Sequence, residues 1–262
     1  MFIFCEFMPN FVPLLHQCLH FLLPNSCLWC QLPVQQAQAQ ICQYCNPALP
    51  RLSPAVPLDN ALLLPQVSRG LKPRYFDALY SLSWYQNPWS HWIVAWKFNQ
   101  DLACGALLCQ QLAAAAAGYL PPPDAAVCYV PISKTRLKER GFNQAEQLAH
   151  ALAAALQLPL LALFASKKGI KHQVGLSRAQ RNANLRRQFS LLPNNRLPQH
   201  LLLVDDVITT GATVNQLTLL LKKQGVQTVD VWTLAVTSAK RQRRYSAAPS
   251  SSPDAESKAL AK

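Results

Sequence analysis

The sixteen residues from His200 to Asn215, HLLLVDDVITTGATVN, constrain the fold more than any other part of the chain. An apolar run, two adjacent carboxylates and a Thr/Gly-rich turn follow one another and open a helix. Leu201 to Val204 can be covered on both faces only inside a parallel-type sheet, so they predict a buried strand with Asp205 and Asp206 at its carboxyl end. Ligands of open α/β sheets bind at that end. Thr209, Thr210, Gly211, Ala212 and Thr213 offer small side chains and backbone N–H groups, a nest that fits a phosphate. Val214, Leu217, Leu220 and Leu221 share one face of a helix predicted from Val214 to Gln224, with Lys222 and Lys223 in its last turn and Gly225 just beyond.

Two carboxylates side by side repel unless a divalent cation or hydroxyl donors lie between them, and ribose hydroxyls with Mg²⁺ supply both. Phosphate on the nest and sugar on the acids point to a phosphoribosyl group. The bland alternative, a doublet that only caps the next helix, leaves the surrounding residues without a role. VDDVITTGAT closely resembles the phosphoribosyl pyrophosphate signature of type I phosphoribosyltransferases. VPISKTRLKERGFNQAEQLA at 130–149 and the Lys171, Gln173, Leu176, Arg181, Asn182 pattern resemble the competence protein ComF family, including its GntX branch. With the cysteines described below, the resemblance runs from about residue 25 to 238.

The resemblance implies an α/β fold with a type I phosphoribosyltransferase-like, parallel-rich sheet flanked by helices. It also implies a link to natural transformation and the use of external DNA, with a DNA-uptake helicase or channel proteins as partners. On the matching positions, Thr209 to Thr213 would hold the 5′-phosphate of phosphoribosyl pyrophosphate, and Asp205 and Asp206 the ribose hydroxyls, directly or through Mg²⁺. Arg136 and Arg140, around a turn at Gly141, present fork-shaped donors suited to the pyrophosphate. Lys171, Gln173 and Arg181 would sit on the flexible loop that closes over the substrate in such enzymes. Residues 71–120, the expected hood over the acceptor, carry no base-reading pattern, so no acceptor is named.

Composition sets the frame. At 262 residues and 50% hydrophobic, the chain can bury one full core plus a small satellite, which excludes a disordered protein. The net charge of +13 is uneven: Lys134 to Arg196 holds 12 lysines and arginines against Glu139 and Glu146, a net +10. That window predicts an anionic partner, and it supports a second reading in which the chain handles single-stranded DNA along a basic face and keeps the phosphoribosyl site as a sensor or relic.

Four of the nine cysteines form Cys27-x2-Cys30 and Cys42-x2-Cys45, separated by an 11-residue polar loop. Four thiolates at this spacing predict a structural, tetrahedral Zn²⁺ closing a unit too small to fold on burial alone. Paired redox dithiols are the alternative, although a redox pair usually stands alone beside a βαβ unit. Cys5 and Cys18 have no partner spacing.

Four segments are expected: 1–50, an N-terminal segment with the zinc module; 51–70, a Pro-rich linker; 71–238, the phosphoribosyltransferase-like domain; and 239–262, a disordered basic, low-complexity tail. The first 23 residues lack a basic n-region and are interrupted by Pro9 and Pro13, so no signal peptide or spanning helix is expected. Leu14, Leu15, Cys18, Leu19 and Leu22 form one helical stripe, read as packing on the metal module rather than lying peripherally on the inner membrane. Cytoplasm is the expected location. Trp89, Trp92, Ile93 and Trp96 fall at helical spacing and read as core rather than as a base-stacking platform. Asp101 is placed to cap the next helix, and Asn143 with Glu146 suggests a capping box. Further strands are predicted at 125–130, 160–165 and 229–236.

Overall fold

A computed structural model describes residues 25–34, 39–53, 58–71, 73–166, 188–193 and 197–238. The chain divides into two compact units, Met1–Leu49 and Pro50–Lys262. The apolar stripe of residues 14–22 and the tail from 239 lie outside the described residues, as do the loop residues Lys171, Gln173 and Arg181.

The described part of the first unit is a pair of cysteine knuckles. An antiparallel bridge joins Ser26 to Pro33, and α1 (Cys45–Ala48) adds one helical turn. Its buried apolar residues are few: Cys27, Val34, Ile41, Cys42 and Leu49.

In the second unit the chain passes through a 3₁₀ turn (Ala61–Leu63), α2 (Pro65–Ser68), β1 (Ala78–Trp84), α3 (Trp89–Asn99) and α4 (Leu102–Ala115). It continues through β2 (Ala126–Tyr129), α5 (Lys134–Arg140), α6 (Gln144–Leu156), β3 (Leu160–Leu161), β4 (Phe164–Ser166) and β5 (Phe189–Leu191). It closes with β6 (His200–Ile208), α7 (Ala212–Lys223) and β7 (Thr228–Val236). Five strands form one sheet in the order β1-β7-β6-β2-β3, every pair parallel. From β2 the chain proceeds outward to β3, and from β6 outward in the other direction to β7. The crevice between the carboxyl ends of β2 and β6 is therefore the switch point where such sheets bind ligands.

Buried strands occupy the sheet centre, as double coverage requires: Leu201 to Val204 are wholly apolar, Val229 to Val236 are apolar but for Asp230 and Thr233, and all are buried. At the amino ends of these two strands, buried Asp230 accepts from the Tyr119 hydroxyl at 2.8 Å and lies 3.0 Å from His200 Nε2. The tryptophan stripe of α3 is entirely core, which removes it from any stacking role. Asp101 caps α4 by accepting from the Cys104 N–H at 3.0 Å. Asn143 caps α6 by accepting from the Ala145 N–H at 3.1 Å, but Glu146 closes no capping box: its carboxylate accepts from the Tyr129 hydroxyl at 2.8 Å.

Within the 51–70 segment, the described residues from 58 onward are packed rather than extended. Leu58, Ala61, Leu62 and Val67 are buried in the second unit. Asn60 Oδ1 accepts from both Leu62 N and Leu79 N, tying the 3₁₀ turn to β1, and Pro65 starts α2 at the one helical position where its missing N–H costs nothing. The 160–165 strand is two strands: β3 pairs with β2 at the sheet edge, and β4 pairs antiparallel with β5 in a separate ribbon. The ribbon flanks residues 167–187. Strand β1 is concealed in the sequence because Ser81 and Ser83 break its apolar run. Both are buried, with hydroxyls donating to the carbonyls of Ser83 and Leu234.

Gly105 of α4 faces the indole of Trp96. A Cβ there would overlap the indole nitrogen and stand 2.8 Å from Cδ1 and Cε2. Gly105→Ala is expected to lower stability by roughly 2 kcal/mol, because overpacking outweighs the gain in helix propensity. Urea unfolding followed by tryptophan fluorescence checks this; an unchanged midpoint would show that α3 and α4 separate freely.

Candidate functional site

Asp205 and Asp206 lie within β6, which continues past the predicted apolar run to Ile208. Consecutive strand residues point to opposite faces. Asp205 turns back, and its Oδ1 accepts from the Asp206 N–H at 2.9 Å. Burial, then the charge of Asp206, pushes the Asp205 carboxyl up to about 8, against the opposing pull of the Asp206 N–H and Lys97. Asp206 instead has a cation: Lys97 Nζ of α3 lies 2.8 Å from its Oδ2. Hydroxyls of β7 and the residue after it hold the strand end, Thr233 donating to Asp206 O at 2.8 Å and Thr237 to Thr209 O at 3.2 Å.

After Ile208 the chain turns sharply. Gly211 takes the left-handed conformation at φ 69° and serves as the N-cap of α7, which begins two residues earlier than predicted. Asn215 fastens the first turns of α7 to the segment before β1, its Oδ1 accepting from Tyr75 N and its Nδ2 donating to Pro73 O, each at 2.9 Å. The turn at 209–213 thus presents the amino end of a 12-residue helix directly beyond the acidic pair.

The loop after β2, read as loop and turn, contains a helix. Ser133 caps α5, its hydroxyl oxygen accepting from the Arg136 N–H at 3.3 Å, and Gly141 ends it at φ 81°. Arg136 is half-buried, whereas Arg140 is buried: its guanidinium stands 5.1 Å from the Phe98 ring centroid and donates to Gln144 Oε1 at 3.4 Å. Three consecutive residues of α3 join these parts. Trp96 stacks on Phe142 at 5.7 Å, Lys97 reaches Asp206, and Phe98 lies under Arg140. The predicted acids and the nest at 209–213 are therefore contiguous in one turn, and α3 links Asp206 to the Arg140–Phe142 corner. Lys97 and Asn215 escaped sequence reading. Lys97 had a signal, being the sole lysine or arginine between residues 75 and 133.

In the first unit the Sγ atoms of Cys27, Cys30, Cys42 and Cys45 all lie within 4.8 Å of one another, Cys30 and Cys42 at 3.8 Å. Thiolates about 2.3 Å from a tetrahedral Zn²⁺ would be separated by about 3.8 Å, so the donors and their spacing fit such an ion. Backbone N–H groups of Cys42 and Cys45 donate to the sulfurs of Cys27 and Cys42, each at 3.4 Å. Burial raises the Cys27 thiol, but N–H donors from Cys30, Cys42 and Trp29 outweigh it and bring the group down to about 6. Cys45 is pushed up to about 12 by burial and by its thiol neighbours. Four thiolates this close repel one another unless a cation lies between them.

Residues 137–254 match the family model described as Phosphoribosyl transferase domain. The chain is 36% identical over 175 residues to Competence protein F of Haemophilus influenzae, covering 61% of this chain and 73% of that protein. It is 32% identical over 237 residues to DNA utilization protein YhgH of Salmonella typhi, covering 82% and 98%. A hypoxanthine phosphoribosyltransferase from Staphylococcus aureus aligns at 16% identity with a TM-score of 0.30, over 49% of this chain and 61% of that one. Identity at this level across nearly the whole of YhgH, with the domain match and the parallel sheet, shows that the chain belongs to the ComF family.

Proposed function

We propose that this protein binds phosphoribosyl pyrophosphate with Mg²⁺ between the carboxyl ends of β2 and β6, and serves DNA uptake or utilisation. The observation that carries this reading is the Asp205–Thr213 turn, which sets two carboxylates and the amino end of α7 at the switch point of a parallel sheet. Backbone N–H groups of 209–213 hold the 5′-phosphate, and Asp205 and Asp206 hold the ribose hydroxyls, directly or through Mg²⁺. Arg136 reaches the pyrophosphate, while buried Arg140 shapes the loop through Phe98 and adds positive potential. Adjacent hard oxygen donors suit Mg²⁺, held by Asp205 and Asp206, which when bound would neutralise the phosphoribosyl ligand's charge. If the site turns over, the side chains supply position and electrostatic stabilisation: the acids favour positive charge on the ring, and the arginines favour the leaving pyrophosphate. The four cysteines hold a structural Zn²⁺.

The place in DNA uptake rests on the names of the relatives, Competence protein F and DNA utilization protein. A second reading, in which the chain handles single-stranded DNA with the phosphoribosyl site as sensor or relic, draws on the +10 window. Among the described residues no helix is long and apolar enough to cross a membrane. A cytoplasmic location, peripheral contact with the inner membrane and helicase or channel partners belong to this proposal.

The test is calorimetric titration of phosphoribosyl pyrophosphate with Mg²⁺ into the zinc-loaded chain and into the Asp205→Asn/Asp206→Asn double variant. Saturable binding to the intact chain is expected, weakened at least ~100-fold in the variant, since two charged hydrogen-bond acceptors are lost. Absence of binding to the intact chain would discard this reading and leave DNA handling. That alternative has its own signature, a steep fall of single-stranded DNA affinity with salt.

A further inference from the structure

We propose that Lys97 is a built-in counter-cation of the acidic pair: in the ligand-free protein it holds Asp206 against a divalent metal, so that the metal enters only together with a ligand whose phosphates take over the ammonium. The ligand reading above is used only for what displaces the lysine. Lys97 Nζ lies 2.8 Å from Asp206 Oδ2, and both side chains are only 16% exposed, so the pair is shielded from solvent exchange and salt. A metal ion bound to Asp206 would sit beside this ammonium, and the like charges exclude one another.

The geometry around Lys97 confines the change to its side chain. Its helix neighbours are packed, Trp96 between Phe142 and Gly105 and Phe98 under Arg140, so moving the lysine by shifting α3 would break these contacts. A lysine stem has four rotatable carbons and a point charge, and can exchange a carboxylate for a phosphate oxygen by rotamer change alone. Arginine at the same place would grip the carboxylate with two parallel donors and release it less readily. An incoming phosphoribosyl group offers hydroxyls to the acids and phosphates to the freed ammonium in the same event. Metal and ligand binding thereby become more tightly coupled than an acidic pair alone would make them.

Mn²⁺, read by electron paramagnetic resonance in the absence of any sugar phosphate, is the probe on the full zinc-loaded chain. Lys97→Met and Lys97→Gln are both expected to bind Mn²⁺ at least ~10-fold more tightly than the intact chain and Lys97→Arg, with the gain lost in Lys97→Met/Asp206→Asn. With phosphoribosyl pyrophosphate and Mg²⁺ present, Lys97→Met should instead bind ~10-fold more weakly, because a charged phosphate contact is missing. Equal Mn²⁺ affinity in the intact chain and both neutral variants overturns the counter-cation role, whatever the sugar phosphate does. Failure of the intact chain to bind phosphoribosyl pyrophosphate overturns the ligand reading, while the Mn²⁺ comparison still decides for or against Lys97.

Discussion

Cys42→Ser should leave the protein without bound zinc and with its first unit unfolded, while the unit from Pro50 onward keeps its structure. Cys42 is buried, lies 3.8 Å from Cys30 Sγ, and its sulfur accepts the Cys45 N–H while its own N–H donates to Cys27. One substitution therefore removes a ligand and loosens both knuckles. Among the described residues between Cys27 and Leu49 few apolar side chains are buried, so a metal held by the four cysteines would supply most of the free energy, about 10 kcal/mol or more for sites of this type. Metal content per chain and limited proteolysis between residues 25 and 49 check this, with chelation of the unmodified protein expected to reproduce the cleavage. A Cys42→Ser protein that resists protease without metal would favour the redox-dithiol reading of the four cysteines.

Asp205→Asn should stabilise the ligand-free protein at pH 8 while weakening the ligand site. The Asp205 carboxyl is raised to about 8 from 3.8, first by burial and then by Asp206. The folded chain thus keeps a proton that the unfolded chain releases near pH 4. Stability from that proton is complete below pH 4 and is lost as the pH rises toward 8. Asparagine keeps the shape of the neutral acid and has nothing to ionise, so its advantage grows by about 1.4 kcal/mol per pH unit across that window and amounts to several kcal/mol at pH 8. Thermal unfolding of the second unit between pH 5 and 8, followed by its five tryptophans, measures the difference. An advantage that does not change with pH would mean that Asp205 is already ionised in the ligand-free state. The expected trade is that of a functional site: the burial and neighbouring charge that keep Asp205 protonated in the empty protein are offset when a cation or hydroxyl donors arrive.

Features whose physics is local can be read from the chain alone. Strand, acidic pair, nest and helix from His200 to Asn215 follow from apolar run length and turn chemistry. The two knuckles follow from ligand spacing, and the α3 stripe from helical period. Caps at Asp101 and Asn143 were legible for the same reason, each bonding within three residues of itself. Tertiary structure decided whatever depends on partners distant in the chain. Buried serines in β1 are tolerated because carbonyls of neighbouring backbone accept their hydroxyls, and the segment from residue 58 to 70 packs because Asn60 bridges to β1. Arg140 looked like a free phosphate fork, yet its position is set by the Phe98 ring on another helix. Lys97 became part of the site only when α3 was laid across the end of β6, since neither periodicity nor motif spacing carries information about which side chain a long-range packing will bring within 2.8 Å of a carboxylate.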